Sequence, residues 1–249
     1  MVQAELRPPI RRSGKKSAIA IPRQKPLHEA AVERLRDMII EGDLAVGERL
    51  HDSYLAEVLN VSRTPIREAI KLLATEGLVE LLPGRGARVA ALSIESVNEL
   101  FEVIAGIERH ACELATARMS SRDLEKLQRM HERMANHHRA GERHDYFKLN
   151  HEIHLAIVAA SKNAILQSTH ASLIVKARRG RYTALASQER WIEAMAEHEL
   201  LMKAFGDRDS HKAGEIMLAH DRRTGAVVLQ LLQSEPRAEA GTVARARRP

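Results

Sequence analysis

Three histidines of this chain interrupt faces that are otherwise apolar. His154 shares a helical stripe with Phe147, Asn150, Ile157 and Val158. His198 shares one with Trp191, Met195, Met202 and Phe205, and His220 one with Ala213, Ile216, Met217 and Val227. Imidazole is the commonest side-chain metal ligand, and three nitrogens from three helices of one bundle suit a divalent Zn, Ni, Mn or Fe with positions left open. Asn150, one turn before His154, can add an amide oxygen. The competing reading makes each histidine a hydrogen-bonded core residue. Most of the 13 histidines sit instead in polar runs such as HERMANHHRAGERHD and read as solvated.

A second constellation suits DNA. Arg63, Thr64 and Arg67 fall in the first turns of one helical segment, with Ser62 just ahead and Lys71 one turn further on. Arginine at the start of a recognition helix can bond guanine through two nitrogens, and hydroxyls suit phosphate or base contacts. In isolation this spacing reads as a solvated surface helix; the elements around it favour base contact. Cys112, the single cysteine, lies in an apolar helical context (IERHACELATA) and reads as a packing residue.

Those elements follow from periodicity. Leu27–Glu41 places Leu27, Ala31, Leu35, Met38 and Ile39 at helical spacing, ended by Gly42. A Gly-containing loop (GDLAVGERL) leads to Asp52 or Ser53 as a helix cap, then to a short helix with Leu55, Val58 and Leu59 on one face. Asn60 and Val61 turn the chain into SRTPIREAIKLLATEGL, where Ser62 can cap, Pro65 is tolerated in the first turn, and Ile66, Ile70, Leu73 and Leu78 face inward. Two helices joined by a tight turn form a helix-turn-helix. The next stretch, LVELLPGRGARVAAL, has short apolar runs around Pro83, Gly84, Arg85 and Gly86, which predicts a two-stranded wing with Arg85 at its basic tip. From Ser93 onward the period is helical throughout, with segments near 94–118, 121–140, 143–160, 163–184, 188–206 and 210–232.

The expected fold is therefore mainly α. A winged helix-turn-helix (26–92) precedes an antiparallel α-helical bundle (93–233), with a basic tail at 1–25 and a polar tail at 234–249, both expected to be disordered. Of the formal net charge of +6, the first 25 residues hold the whole excess, with seven basic side chains against Glu5 alone. The folded remainder is close to neutral, so local patches and not the overall charge point to DNA. No stretch approaches the roughly 18 apolar residues of a membrane span, and the N-terminus lacks a signal-peptide core, so a cytoplasmic location is expected.

The segment GERLHDSYLAEVLNVSRTPIREAIKLLATEGLVELLPGRGARV resembles the winged helix-turn-helix of GntR-type regulators over nearly all of residues 27–90. The resemblance implies that Arg63, Thr64 and Arg67 contact the operator and that Gly84 lets the wing approach the DNA backbone. Where some members have an arginine at the start of the second helix, this chain has Ser53 beside Tyr54.

The motifs YFKLNHEIHLAIVAASKN, EHELLMKAFGDRD and AGEIMLAHDR are similar to those of the FCD effector domain in the FadR-like branch of that family, over roughly 94–232. This implies a divalent metal held by Asn150, His154, His198 and His220 and completed by a small carboxylate. Asn150 stands where aspartate is commonest. Ile104 stands where many members have an arginine for the ligand, which passes that role to Arg178, Arg179 or Arg181.

The function expected from both halves is a homodimeric transcriptional regulator that reads a pseudo-palindromic operator and responds to a small organic acid, and not an enzyme. Two other readings compete. One makes the ion itself the effector. The other is a metal-dependent hydrolase, for which no carboxylate base is identified beside the three histidines.

Overall fold

The computed structural model describes residues Leu27–Ser234. The two tails lie outside the described residues, apart from Ser234, which belongs to the last helix. In order, the elements are α1 (Leu27–Glu41), β1 (Arg49–Leu50), α2 (Asp52–Val58), α3 (Arg63–Thr75), β2 (Val79–Leu82), β3 (Gly86–Val89), α4 (Ile94–Arg118), α5 (Ser121–Ala140), α6 (Arg143–Ala160), α7 (Ala164–Ala184), α8 (Gln188–Gly206) and α9 (Ser210–Ser234). No helix among the described residues is long and apolar enough to cross a membrane.

The N-terminal unit is built on one apolar cluster. Leu35 of α1, Leu55 of α2, and Ile66 and Leu73 of α3 are fully buried against one another, each worth about 1.5–3 kcal/mol relative to exposure. That burial fixes which side of α3 remains outside. Asn60 takes the left-handed conformation (φ 52°) between α2 and α3, a geometry that asparagine tolerates better than most residues.

The wing is a three-stranded antiparallel sheet in the order β1-β3-β2, with Leu82 opposite Gly86 and Leu50 opposite Ala87. The sequence reading had two strands and a loop at Arg49–Leu50. A two-residue strand has no local periodicity, and its partner lies far along the chain. The cap of α2 also differs: His51 holds the N-cap position, while the Asp52 carboxylate accepts from Arg67 Nε at 2.6 Å. Ser62 occupies the N-cap of α3 without a side-chain capping bond.

The C-terminal bundle matches the expected helices closely. The differences are α7, which starts at Ala164 with Asn163 as its cap, and α9, which runs on to Ser234. α4 and α9 run antiparallel in close contact: a methyl group at Gly225 would meet Phe101 at 2.7 Å, and one at Gly214 would meet Glu113 at 2.8 Å. Cys112 is buried in this core, and burial pushes its thiol well up, in keeping with a packing role. α7 faces both units. Val175 packs against both cores, Arg178 Nη2 reaches Asp37 Oδ1 of α1 at 2.9 Å, and Arg179 Nη1 donates to the Ala90 carbonyl at 2.5 Å.

Candidate functional site

His154 comes from α6, His198 from α8 and His220 from α9, because each stands on the stripe that its helix buries. Their rings meet at centroid distances of 5.5 Å (His154–His198), 5.4 Å (His154–His220) and 5.0 Å (His198–His220). One ring nitrogen of each lies within 4.8 Å of the others. All three rings are buried, as is Asn150 one turn before His154.

Carboxylates orient two of the rings. Glu108 Oε2 of α4 lies 2.5 Å from His154 Nδ1, and Glu197 Oε2 of α8 lies 2.7 Å from His220 Nδ1. Burial alone would raise Glu108, but the Arg181 guanidinium and then His154 outweigh it and hold the acid well below the usual carboxylate range. Burial of Glu197 is likewise outweighed, by His220 and then Arg190, which bring it to about 2. With both acids charged, each neighbouring Nδ1 must carry the proton and donate it, and Nε2 keeps its lone pair. Burial, then Arg181, lowers His154 to about 3; burial, then His220 and His154, holds His198 well below its ordinary value. The imidazoles are neutral, the form that binds metal.

Several buried polar atoms here have no protein partner: His154 Nε2, both ring nitrogens of His198 and Asn150 Oδ1. Leaving such groups unsatisfied costs about 1–3 kcal/mol each. A divalent ion fits this donor set, and the Glu–His pairs are the usual outer support of a histidine-bound metal.

The sequence reading identified no carboxylate beside these histidines, and Glu108, Glu197 and Asp221 correct it. It also missed His170, whose Nε2 lies 2.7 Å from Glu108 Oε1, and Arg190, which is buried and bonds Glu197 Oε2 (2.7 Å), the His220 carbonyl (3.0 Å) and Thr224 Oγ1 (3.0 Å). A usable signal was present: Glu108 breaks the apolar run Phe101, Ile104, Ala105, Ala111, Cys112 of α4 just as the histidines break theirs. Of the three arginines singled out for an effector, Arg181 lies beside the histidines, with Nη2 2.9 Å from Glu108 Oε2 and 2.6 Å from Asp221 Oδ1. Arg178 and Arg179 point to the N-terminal unit instead, since the helical twist sends neighbouring side chains in different directions. Ile104 is fully buried core.

The other constellation lies on the N-terminal unit. Ser62, Arg63, Thr64, Arg67 and Lys71 are all exposed on α3, opposite its buried Ile66, Ala69, Ile70 and Leu73. Arg67 is held by Asp52, and Lys71 Nζ meets Glu68 Oε1 at 2.9 Å. Arg85 is exposed at the wing tip between Gly84 (φ 67°) and Gly86 (φ 86°), whose left-handed geometry favours glycine. Tyr54 of α2 is 58% exposed, unusual for so large a ring.

Comparison with known proteins joins the two sites. Residues 27–89 match the model of bacterial regulatory proteins of the gntR family, and residues 99–223 match the FCD domain. The transcriptional regulator LutR of Bacillus subtilis is 31% identical over 204 residues, 74% of this chain and 92% of that protein. The Nta operon transcriptional regulator of Aminobacter aminovorans is 28% identical over 189 residues, 75% of this chain and 87% of that protein. Among solved structures, E. coli McbR/YncC shares the fold with a TM-score of 0.74 at 23% identity, covering 84% of this chain and 100% of that one. The chain thus belongs to the GntR family of bacterial regulatory proteins and is a transcriptional regulator that joins a GntR DNA-binding domain to an FCD effector domain.

Proposed function

We propose that this regulator holds one divalent metal through His154, His198, His220 and Asn150, and that a small carboxylate bound at that metal sets its affinity for a pseudo-palindromic operator. The observation that supports this most is the set of three convergent imidazoles, two of them tied through Nδ1 to Glu108 and Glu197, with His154 Nε2, both nitrogens of His198 and Asn150 Oδ1 buried without protein partners. When bound, the ion would supply a positive anchor for an anion. The proposed ligands are neutral, three imidazoles and one amide, so an anionic effector would balance the charge of the ion. Arg181 and Arg190 add the nearest buried guanidinium groups; Arg178 and Arg179 are not assigned to the effector.

On the DNA side, Arg63, Thr64 and Arg67 read base edges, while Ser62, Lys71, Gly84 and Arg85 approach phosphates. Residues 26–92 act as the reading domain and 93–233 as the effector and dimerisation domain, working in the cytoplasm. Two copies pair through the outer face of α4, where Leu100, Val103 and Ile107 form an incompletely buried apolar stripe around the exposed Gly106. The test is calorimetric titration of chelator-stripped protein with Zn, Ni and Mn, then of the loaded protein with small carboxylates. Each state is also assayed on an operator recovered by in vitro selection. Metal uptake with no further response to any acid would favour the ion itself as effector; no metal uptake would remove the proposal.

A further inference from the structure

We infer that the segment Arg178–Arg179–Gly180–Arg181 of α7 carries the state of the histidine site to the DNA-binding domain. The inference rests on the reading of His154 and His220 as ligands. Its input side is one buried ionic node. Arg181 Nη2 holds both Glu108 Oε2 (2.9 Å) and Asp221 Oδ1 (2.6 Å), with all three side chains 3% exposed or less. The same Oε2 of Glu108 takes His154 Nδ1, and Asp221 follows His220 in the chain. A ligand that draws His154 and His220 together therefore displaces the two acidic side chains, Glu108 and Asp221, that position Arg181. α7 is tied to Glu108 a second time through His170 Nε2 at 2.7 Å, three turns before Arg181, so the helix follows the node as a rigid body.

The output side lies on the same four residues. Arg178 Nη2 grips Asp37 Oδ1 of α1 at 2.9 Å, and Arg179 Nη1 grips the Ala90 carbonyl just after the last strand of the wing at 2.5 Å. Gly180 brings α7 against α4, since a methyl group there would meet the Phe101 ring at 3.0 Å, and little slack remains between input and output. A further polar contact between the two units, His144 Nδ1 to Glu41 Oε1 at 3.0 Å, comes from α6 and is half-exposed at the histidine, where solvent weakens it. The three arginines are thus the coupling element, with Arg181 facing the histidine site and Arg178 and Arg179 facing the DNA-binding domain.

Amide hydrogen exchange on the full chain, with Zn²⁺ as the probe, tests this. In wild type, zinc should slow exchange in α6, α8 and α9 and also in α1 and residues 88–92, roughly fivefold or more. In the double variant Arg178→Ala/Arg179→Ala, zinc stoichiometry and protection of the bundle should be unchanged while protection of α1 and 88–92 disappears. Arg178→Lys should restore part of it. Undiminished α1 protection in the double variant, or wild-type protection confined to the bundle, would overturn the inference. Should wild type take up no zinc, the metal reading falls, and the coupling is decided without metal. Glu108→Gln, or His170→Gln where the first does not fold, should then speed exchange in α1 and 88–92, and only when Arg178 and Arg179 are present. An effect confined to the bundle would exclude the coupling.

Discussion

Glu108 and His154, 46 positions apart in the chain, meet through a 2.5 Å contact between Oε2 and Nδ1 that leaves His154 Nε2 buried and without a protein partner. Because Arg181 keeps the acid charged, the imidazole proton is confined to Nδ1 and the lone pair to Nε2. The charge of a residue on α4 therefore determines the tautomer of a residue on α6.

Protein purified without chelator is expected to contain Zn or Ni bound in the bundle, and His198→Ala none. Elemental analysis measures this directly. Saturating metal at about 100 times its Kd should stabilise wild type by about 2.7 kcal/mol, which raises Tm by roughly 2–4 °C per kcal/mol in a chain of this size. The variant should melt at the same temperature with and without metal.

Glu108→Gln and Glu197→Gln each remove an orienting charge without removing a ligand. Metal affinity should fall about 10–100-fold in either variant, while uptake at high metal concentration persists. Competition with a chromogenic chelator gives the affinities, and values equal to wild type would deny the carboxylates an orienting role.

Asn150→Asp replaces a neutral oxygen by an anionic one beside the proposed ion. Affinity for Mn²⁺ should rise by roughly tenfold or more and that for Zn²⁺ by less, since hard cations gain most from carboxylate oxygen. Parallel titrations with the two ions check the order.

Arg63→Ala and Arg67→Ala should each cost about 1–3 kcal/mol of operator affinity and leave Tm unchanged, because both side chains are exposed on α3. Arg85→Ala should weaken binding to all sequences alike and lower the salt slope by about 1. Asp52→Asn frees Arg67 and removes a negative charge from the reading face, so non-specific affinity should rise. Fluorescence anisotropy across a salt series separates these outcomes.

The metal-free protein should lose stability on acidification. Burial, then Arg181, lowers His154 to about 3 in the folded state, against an unfolded value of about 6.5. The unfolded chain therefore takes up protons first. This contribution to stability is whole above about 6.5 and is lost progressively as pH falls from there toward 3. Melting at pH 7.5 and 5.0 without metal should show a lower Tm at the acidic pH. His154→Gln should reduce the difference.

Local sequence determined most of the fold. The period of apolar residues and the glycine stops marked most of the helices to within a residue or two, except that α3 ends at Thr75, before the inward-facing Leu78, and SRTPIREA put Arg63, Thr64 and Arg67 together on what the structure leaves as the exposed face of α3. The three histidines and Glu108 could each be found along the chain, because a polar residue on a buried stripe is a local irregularity.

What the tertiary structure decided were the partners. β1 exists only because Arg49 and Leu50 meet β3, pairing that no local period encodes. Which carboxylate holds which imidazole depends on the packing of α4, α6, α8 and α9. Glu197 stands next to His198 in the chain, for example, yet bonds His220, because successive side chains on a helix point about 100° apart. Arg178, Arg179 and Arg181 look alike in sequence, but one reaches α1, one the residue after the wing and one the buried acids, according to what each faces across α7. Sequence spacing sets the direction in which a side chain leaves its helix. The element packed opposite it, brought there by burial of apolar surface far along the chain, sets what it meets.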